Sequence, residues 1–134
     1  MKPHIITFDK IGSSALGYIS VAENFNNIPF TVQRVYWTYY TPQDVTRGGH
    51  AHLKLEQVIV AVSGTITFLI EDLQGSKTEF VLDNPDKGLY IPNKIWRDIK
   101  FSHNAVLLCL ASEVYTEDDY IREYDNFIKL RDGQ

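Results

Sequence analysis

The chain has one cysteine, Cys109, among its 134 residues, which excludes a disulfide framework. Cys109 lies within the apolar run Val106–Ala111, and this context predicts a small buried core residue rather than a reactive thiol. An excess of basic residues is also missing. Thirteen Lys and Arg against seventeen Asp and Glu leave a net charge of −4, so no global positive field invites nucleic acid. The apolar runs Val58–Val62 and Val106–Ala111 are far shorter than the roughly 20 residues of a membrane-spanning helix, and no membrane association is expected. The first residues, Met1–Asp9, contain neither an apolar signal core nor a small-residue cleavage site, which leads us to expect a cytoplasmic protein. No Gly-rich dinucleotide loop occurs, so no redox cofactor is expected.

What is present is mostly strand. No internal repeat, linker or low-complexity stretch divides the chain, and a single domain over residues 1–134 is expected. Thr31–Tyr40 is dense in β-branched and aromatic residues, which strands accommodate best. Gln57–Val62 is continuously apolar and ends at Ser63-Gly64, a turn signal. Thr65–Glu71 then alternates Ile66, Phe68 and Ile70 with Thr65 and Thr67, and the two segments predict a hairpin. Further strands are expected at Thr78–Leu82, Gly88–Ile91, Arg97–Phe101 and Ala105–Ala111. Only the end reads as helical. Thr116–Asp119 has the form of a capping box before a helix over Tyr120–Leu130, which would place Tyr120, Tyr124 and Phe127 on one face. The fold class is therefore all-β, a sandwich or small barrel with a short C-terminal helix.

Chemistry concentrates in Arg47-Gly-Gly-His-Ala-His-Leu-Lys-Leu-Glu-Gln57. His50 and His52 are two apart, so on a strand both rings point to the same side. Glu56 keeps that parity if the strand continues. Two imidazoles and a carboxylate suit a metal; two imidazoles also suit a general base with a neighbouring proton carrier. Two histidines on a solvated face are the remaining alternative. On the strand before, Arg34, Tyr36, Thr38 and Tyr40 would share one face.

His50-x-His52-x3-Glu56, followed after an apolar strand by Gly64, resembles the first cupin motif, and Gly88–Arg97 resembles the second. A histidine normally ends that second motif, and here the position is Arg97, which stays protonated and cannot ligate a metal. A metal-free site is expected. Ile28-Pro-Phe, Gln33–Tyr36, Arg47-Gly-x-His-x-His, Leu55–Val58, Gly88–Tyr90, Ala111-Ser112 and Asp119–Asp125 together are similar to the sugar nucleotide 3,4-ketoisomerases that act on dTDP-4-dehydro-6-deoxyglucose. A more distant similarity is to the dTDP-4-dehydrorhamnose 3,5-epimerases.

The resemblance implies a cupin or jelly-roll barrel that moves a ketone from C4 to C3 of a dTDP-linked 6-deoxyhexose without a cofactor. Such a product serves deoxyaminosugar biosynthesis for lipopolysaccharide or S-layer glycans. By the same resemblance His50 is the base at C3, His52 shuttles an oxygen-bound proton, and Tyr36 donates to the developing oxyanion. Arg34, Arg47, Lys54, Arg97 and Tyr90 are the candidate substrate-binding residues. In a net-negative protein, an anionic diphosphate has to be held by short-range contacts of this kind. Family members carry His or Arg at the position of Arg97, a difference that would bear on which face of C4 receives the proton. The family forms homodimers with exchanged N-terminal strands, and the apolar segment Ile5–Ile11 before Gly12-Ser-Ser is consistent with such exchange.

Overall fold

The computed structural model describes residues 1–131. Its strands, in chain order, are β1 (His4–Thr7), β2 (Ile11–Ser13), β3 (Gly17–Ile19), β4 (Arg34–Thr38), β5 (Thr46–His52), β6 (Gln57–Ser63), β7 (Ile66–Glu71), β8 (Lys77–Leu82), β9 (Lys87–Ile91), β10 (Trp96–Phe101), β11 (Val106–Ala111) and β12 (Tyr120–Ile121). A 3₁₀ turn at Glu117–Asp119 precedes β12, and a helix, α1 (Tyr124–Arg131), ends the described chain. Two five-stranded sheets form, in the orders β1-β9-β6-β11-β4 and β12-β5-β10-β7-β8. Among the described residues β2 and β3 pair only with each other.

Between the sheets lies the main core: Ile59 and Ala61 of β6, Ile66, Phe68 and Ile70 of β7, Leu89 and Ile91 of β9, Ile99 and Phe101 of β10, and Leu107, Cys109 and Ala111 of β11. The buried thiol expected for Cys109 is found. β6 is apolar on both faces for a reason visible in its neighbours. Ile59 and Ala61 point between the sheets, while Val58 and Val60 pack outward against Phe8, Ile28, Phe30 and Tyr90. A strand covered on both sides reads as a continuous apolar run rather than an alternation.

The expected hairpin of Gln57–Val62 with Thr65–Glu71 does not form. β6 pairs with β9 and β11, whereas β7 pairs with β8 and β10, so Ser63-Gly64 carries the chain from one sheet to the other. Gly64 has φ +75°, and a Cβ there would lie 2.7 Å from the Ala105 Cα, so the corner packs too tightly for any side chain. The terminal helix also starts later than its sequence suggests. Thr116 makes no side-chain cap, and Tyr120 belongs to β12, paired with His52 of β5. The reason is Asp119, whose carboxylate leaves the capping role to accept the backbone N–H of Lys54 (2.8 Å) and Leu55 (3.2 Å). α1 then lays Phe127 against Ala51 and Ile121, beside Trp96. Ala51 is wholly buried, so β5 is covered by the helix at that position.

Candidate active site

Inward positions become polar toward one end of the barrel. Along β6 they run Ala61, Ile59, Gln57; along β10 they run Phe101, Ile99, Arg97. Arg97 faces His50 across the β10–β5 ladder, and Gln57 is level with Ile91 and Ala111. Arg34 and Tyr36 on β4 stand opposite Ala111 and Cys109.

Gly48 makes the histidine strand possible. The β5–β10 register slips where Arg97 pairs with His50 and Asp98 with Gly48, leaving Gly49 as the extra residue of a bulge on β5 beside Gly48, whose φ is +90°. A Cβ on Gly48 would lie 2.8 Å from the Arg97 carbonyl oxygen. The glycine thus lets β5 approach β10 closely. Past the bulge, His50 and His52 turn to one side as their spacing predicts, with ring centroids 4.9 Å apart. The Tyr120 ring closes over both, 5.1 Å from His50 and 4.4 Å from His52.

Arg97 dominates the electrostatics. It is 1% exposed, and it donates to the side-chain carbonyl of Gln57 and to the Ile95 carbonyl oxygen at 3.2 Å. Among the described residues no carboxylate pairs with it, and its Nε has no acceptor. A buried guanidinium without a counter-charge is costly to the fold and available to an anion. Its effect on the imidazoles has the sign expected. Burial, with the Arg97 charge second, lowers His50 to about 4 and His52 to about 2. Both rings are neutral near pH 7 and able to take a proton. Burial pushes the Tyr36 hydroxyl well above its ordinary range, so it remains a donor. The Nδ1 of His52 lies 3.3 Å from an Asp119 carboxylate oxygen, close but not aligned as a hydrogen bond.

The other expected residues divide. Arg34 is partly buried at the same end, its guanidinium 5.4 Å from the Tyr36 ring centre and 5.6 Å from that of Tyr115. Arg47 sits on the exposed start of β5, near enough that its charge helps to lower His50. Four further residues singled out in the sequence take these places. Glu56 follows the end of β5 rather than continuing it, and accepts the Tyr90 hydroxyl, so Gln57 takes the inward place. Tyr90 packs on the outer side of β9 with Phe8 and Val58, away from the histidines, and Lys54 is exposed. Tyr40 lies beyond β4 in a left-handed conformation, φ +60°, and is 87% exposed. Without Glu56 the imidazoles gain no carboxylate partner of that kind. Among the described residues no three His, Cys, Asp or Glu side chains surround a common point, and a cation there would meet the Arg97 charge, so the residues do not fit a metal.

Sequence reasoning missed Gln57, Asp119 and Tyr120. Gln57 had a signal, being the one polar residue that opens an otherwise apolar strand. Asp119 and Tyr120 had only their place in a motif whose acidic residues also suit a helix cap.

The sequence matches the family described as "FdtA: WxcM-like, C-terminal" over residues 1–132. A protein from Aneurinibacillus thermoaerophilus named TDP-4-oxo-6-deoxy-alpha-D-glucose-3,4-oxoisomerase is 42% identical over 130 residues, covering 96% of this chain and 92% of that one. The crystal structure of a 3,4-ketoisomerase from Helicobacter canadensis superimposes with a TM-score of 0.92 at 36% identity, covering 98% of both chains. A His-to-Asn variant of the QdtA 3,4-ketoisomerase from Thermoanaerobacterium thermosaccharolyticum, crystallised with TDP-4-keto-6-deoxyglucose, gives 0.93 at 34% identity, with 99% of this chain and 96% of that one covered.

Proposed function

We propose that this chain, which belongs to the FdtA family, is a 3,4-ketoisomerase acting on TDP-4-keto-6-deoxyglucose. The observation that carries the chemistry is two neutral imidazoles and a buried, uncompensated arginine at one end of the barrel. In this reading the C4 ketone makes the C3 proton acidic, and His50 removes it as general base. The electron pair left at C3 forms the C3=C4 double bond, and negative charge develops on O4. Arg97 and Tyr36 stabilise that charge as donors. His52 carries the O3 proton to O4, the C3=O bond forms as C4 accepts the proton held by His50, and the product is a 3-keto sugar. No electron enters or leaves, so the balance needs no oxidant or reductant. Arg34 and Arg47 hold the diphosphate at short range.

The reading extends to the assembly and the compartment. We assign a homodimer with exchanged N-terminal strands. In support, Ile11, Leu16, Tyr18 and Ile19 on the β2–β3 hairpin and Val35 and Trp37 on the edge strand β4 are exposed apolar side chains. Within one chain β1 pairs with β9, a ladder that a partner's strand would satisfy equally. The protein works as one domain over its 134 residues, in the cytoplasm, supplying a 3-keto sugar for amination in glycan assembly.

The test is incubation with TDP-4-keto-6-deoxyglucose in D2O, followed by NMR. The expected product has its ketone at C3, its C4 configuration read from the coupling constants, and recovered substrate deuterated at C3. A folded His50→Asn variant loses both signals. A ketone left at C4 with deuterium at C3 and C5 makes the protein a 3,5-epimerase instead, and TDP binding without conversion makes it a binding protein.

A further inference from the structure

Gln57 is 2% exposed at the polar end of the barrel, with both polar atoms of its side chain engaged. The direction of its amide is dictated by its neighbours. Arg97 has only donors, so the Gln57 carbonyl oxygen must face it. The Gln57 Nε2 then faces β4 and β11, giving one hydrogen to the Tyr36 hydroxyl oxygen at 2.9 Å and the other to the Cys109 Sγ at 3.2 Å. Tyr36 is therefore an acceptor on the side that faces Gln57. On that side its own proton meets only the Cys109 sulfur, a weak acceptor that already receives the second amide hydrogen, because the Gln57 carbonyl is taken by Arg97.

We propose that Gln57 is a positioning residue that anchors Arg97 with its carbonyl and, by donating to the Tyr36 oxygen, turns the Tyr36 hydroxyl proton away from itself and toward the sugar. This rests on the ketoisomerase reading and adds to it the reason a tyrosine can serve as a directed donor. One side chain couples two elements of oxyanion stabilisation on different sheets, because β6 lies in one sheet and β10 in the other. Its neutrality matters as well. A carboxylate in the same place would pair with Arg97 and cancel the charge that the site presents to its ligand. The raised Tyr36 hydroxyl, protonated across the working range, is what such a donor needs.

The test is a double-mutant cycle on the full chain using Gln57→Glu, Tyr36→Phe and the pair, with turnover of TDP-4-keto-6-deoxyglucose followed by NMR. Glu at position 57 still accepts from Arg97 but cannot donate to Tyr36, whose hydroxyl then turns to the new carboxylate. The expected result is a kcat reduced at least about tenfold in each single variant, with KM changed less than about threefold. In the pair, kcat falls little further than in the worse single variant, because both substitutions remove the same directed donor. The acid limb of the Gln57→Glu pH profile also moves upward, as the Arg97 charge no longer depresses His50. Losses that multiply in the pair, or a Gln57→Glu enzyme with unchanged kcat, overturn the proposal. Should Gln57→Glu melt early, Gln57→Met replaces it. That variant neither donates nor accepts, so KM rises with the fall in kcat, and the kcat loss must still be shared with Tyr36→Phe. A wild-type protein that leaves the sugar unchanged is a separate outcome, and it removes the ketoisomerase reading together with this role.

Discussion

Adjacent glycines on β5 offer a comparison in which the backbone chemistry is nearly constant and the surroundings differ. Gly48 has φ +90° and Gly49 has φ +67°, both in the left-handed region that an alanine adopts at a cost of about 1–2 kcal/mol. The Cβ of Gly49→Ala meets only a side-chain oxygen of Asp98 at 3.9 Å, so strain is its whole cost. Part of that is returned by the stiffer unfolded chain, by about 0.4–1 kcal/mol. The Cβ of Gly48→Ala falls 2.8 Å from the Arg97 carbonyl oxygen and 3.3 Å from the Asp98 Cα, both backbone. Two paired strands must separate to admit it, and overpacking of this kind adds about 1–3 kcal/mol. The expected destabilisation is about 3 kcal/mol for Gly48→Ala and about 1 kcal/mol for Gly49→Ala. For a chain of this size that corresponds to falls in Tm of about 10 °C and about 3 °C. Thermal unfolding followed by circular dichroism reads both. Turnover adds a second reading, because moving the β10 backbone at Arg97 displaces the guanidinium. Gly48→Ala is expected to lose at least about tenfold in kcat while Gly49→Ala stays within about threefold. Equal Tm shifts, or a larger effect at Gly49, would show that the bulge is not held by the contact between Gly48 and Arg97.

With His50, lowered to about 4, as the proposed base, kcat/KM should stay level from pH 7 to about pH 5 and fall as the pH passes through the His50 value; a midpoint near 6.5 would mean that Arg97 and burial do not act on it. Stability has the same sign. Between pH 6.5 and pH 4 the unfolded chain protonates His52 while the folded chain, with that ring held near 2, does not, so His52 alone lowers stability by about 3 kcal/mol over this window, and His50, held near 4, adds to the fall. Urea unfolding at the two pH values measures it, and equal midpoints would refute the shift. Asp119→Asn can satisfy only one of the two backbone N–H groups that Asp119 accepts, so a loss of about 1–3 kcal/mol is expected in urea, and an unchanged midpoint would mean that those bonds do not anchor the loop. Light scattering should give twice the chain mass at micromolar concentration; a monomer there would remove the exchanged-strand assembly.

Much of the site was legible because period two is a property of the residue spacing itself. His50 and His52 share a side, as do Arg34 and Tyr36, and both pairs meet Arg97 at the same end. The failures have physical causes of their own. Ser63-Gly64 reads as a hairpin turn, but a corner between sheets uses the same residues, and only the pairing partners separate them. Glu56 kept the right parity on paper, but β5 ends at His52, which handed the inward position to Gln57. Thr116–Asp119 satisfied the local rule for a cap, and a more favourable use of Asp119 lay over sixty residues away, at the backbone of Lys54 and Leu55. Tyr90 was drawn in by a motif whose neighbours face the core while Tyr90 itself faces outward.

β5 carries His50 and His52 on one side and Ala51 on the other, and the outer side is sealed by Ile121 and Phe127. Sequence change in the two regions is therefore not independent. A larger residue at 51 has nowhere to go except by lifting the C-terminal segment or pushing the strand inward, and the latter moves both imidazoles together. The terminal helix, which brings no side chain to the histidines, acts as a backstop that keeps their strand from drifting. The two histidines and the packing of the last turns of chain are then free to vary only in step.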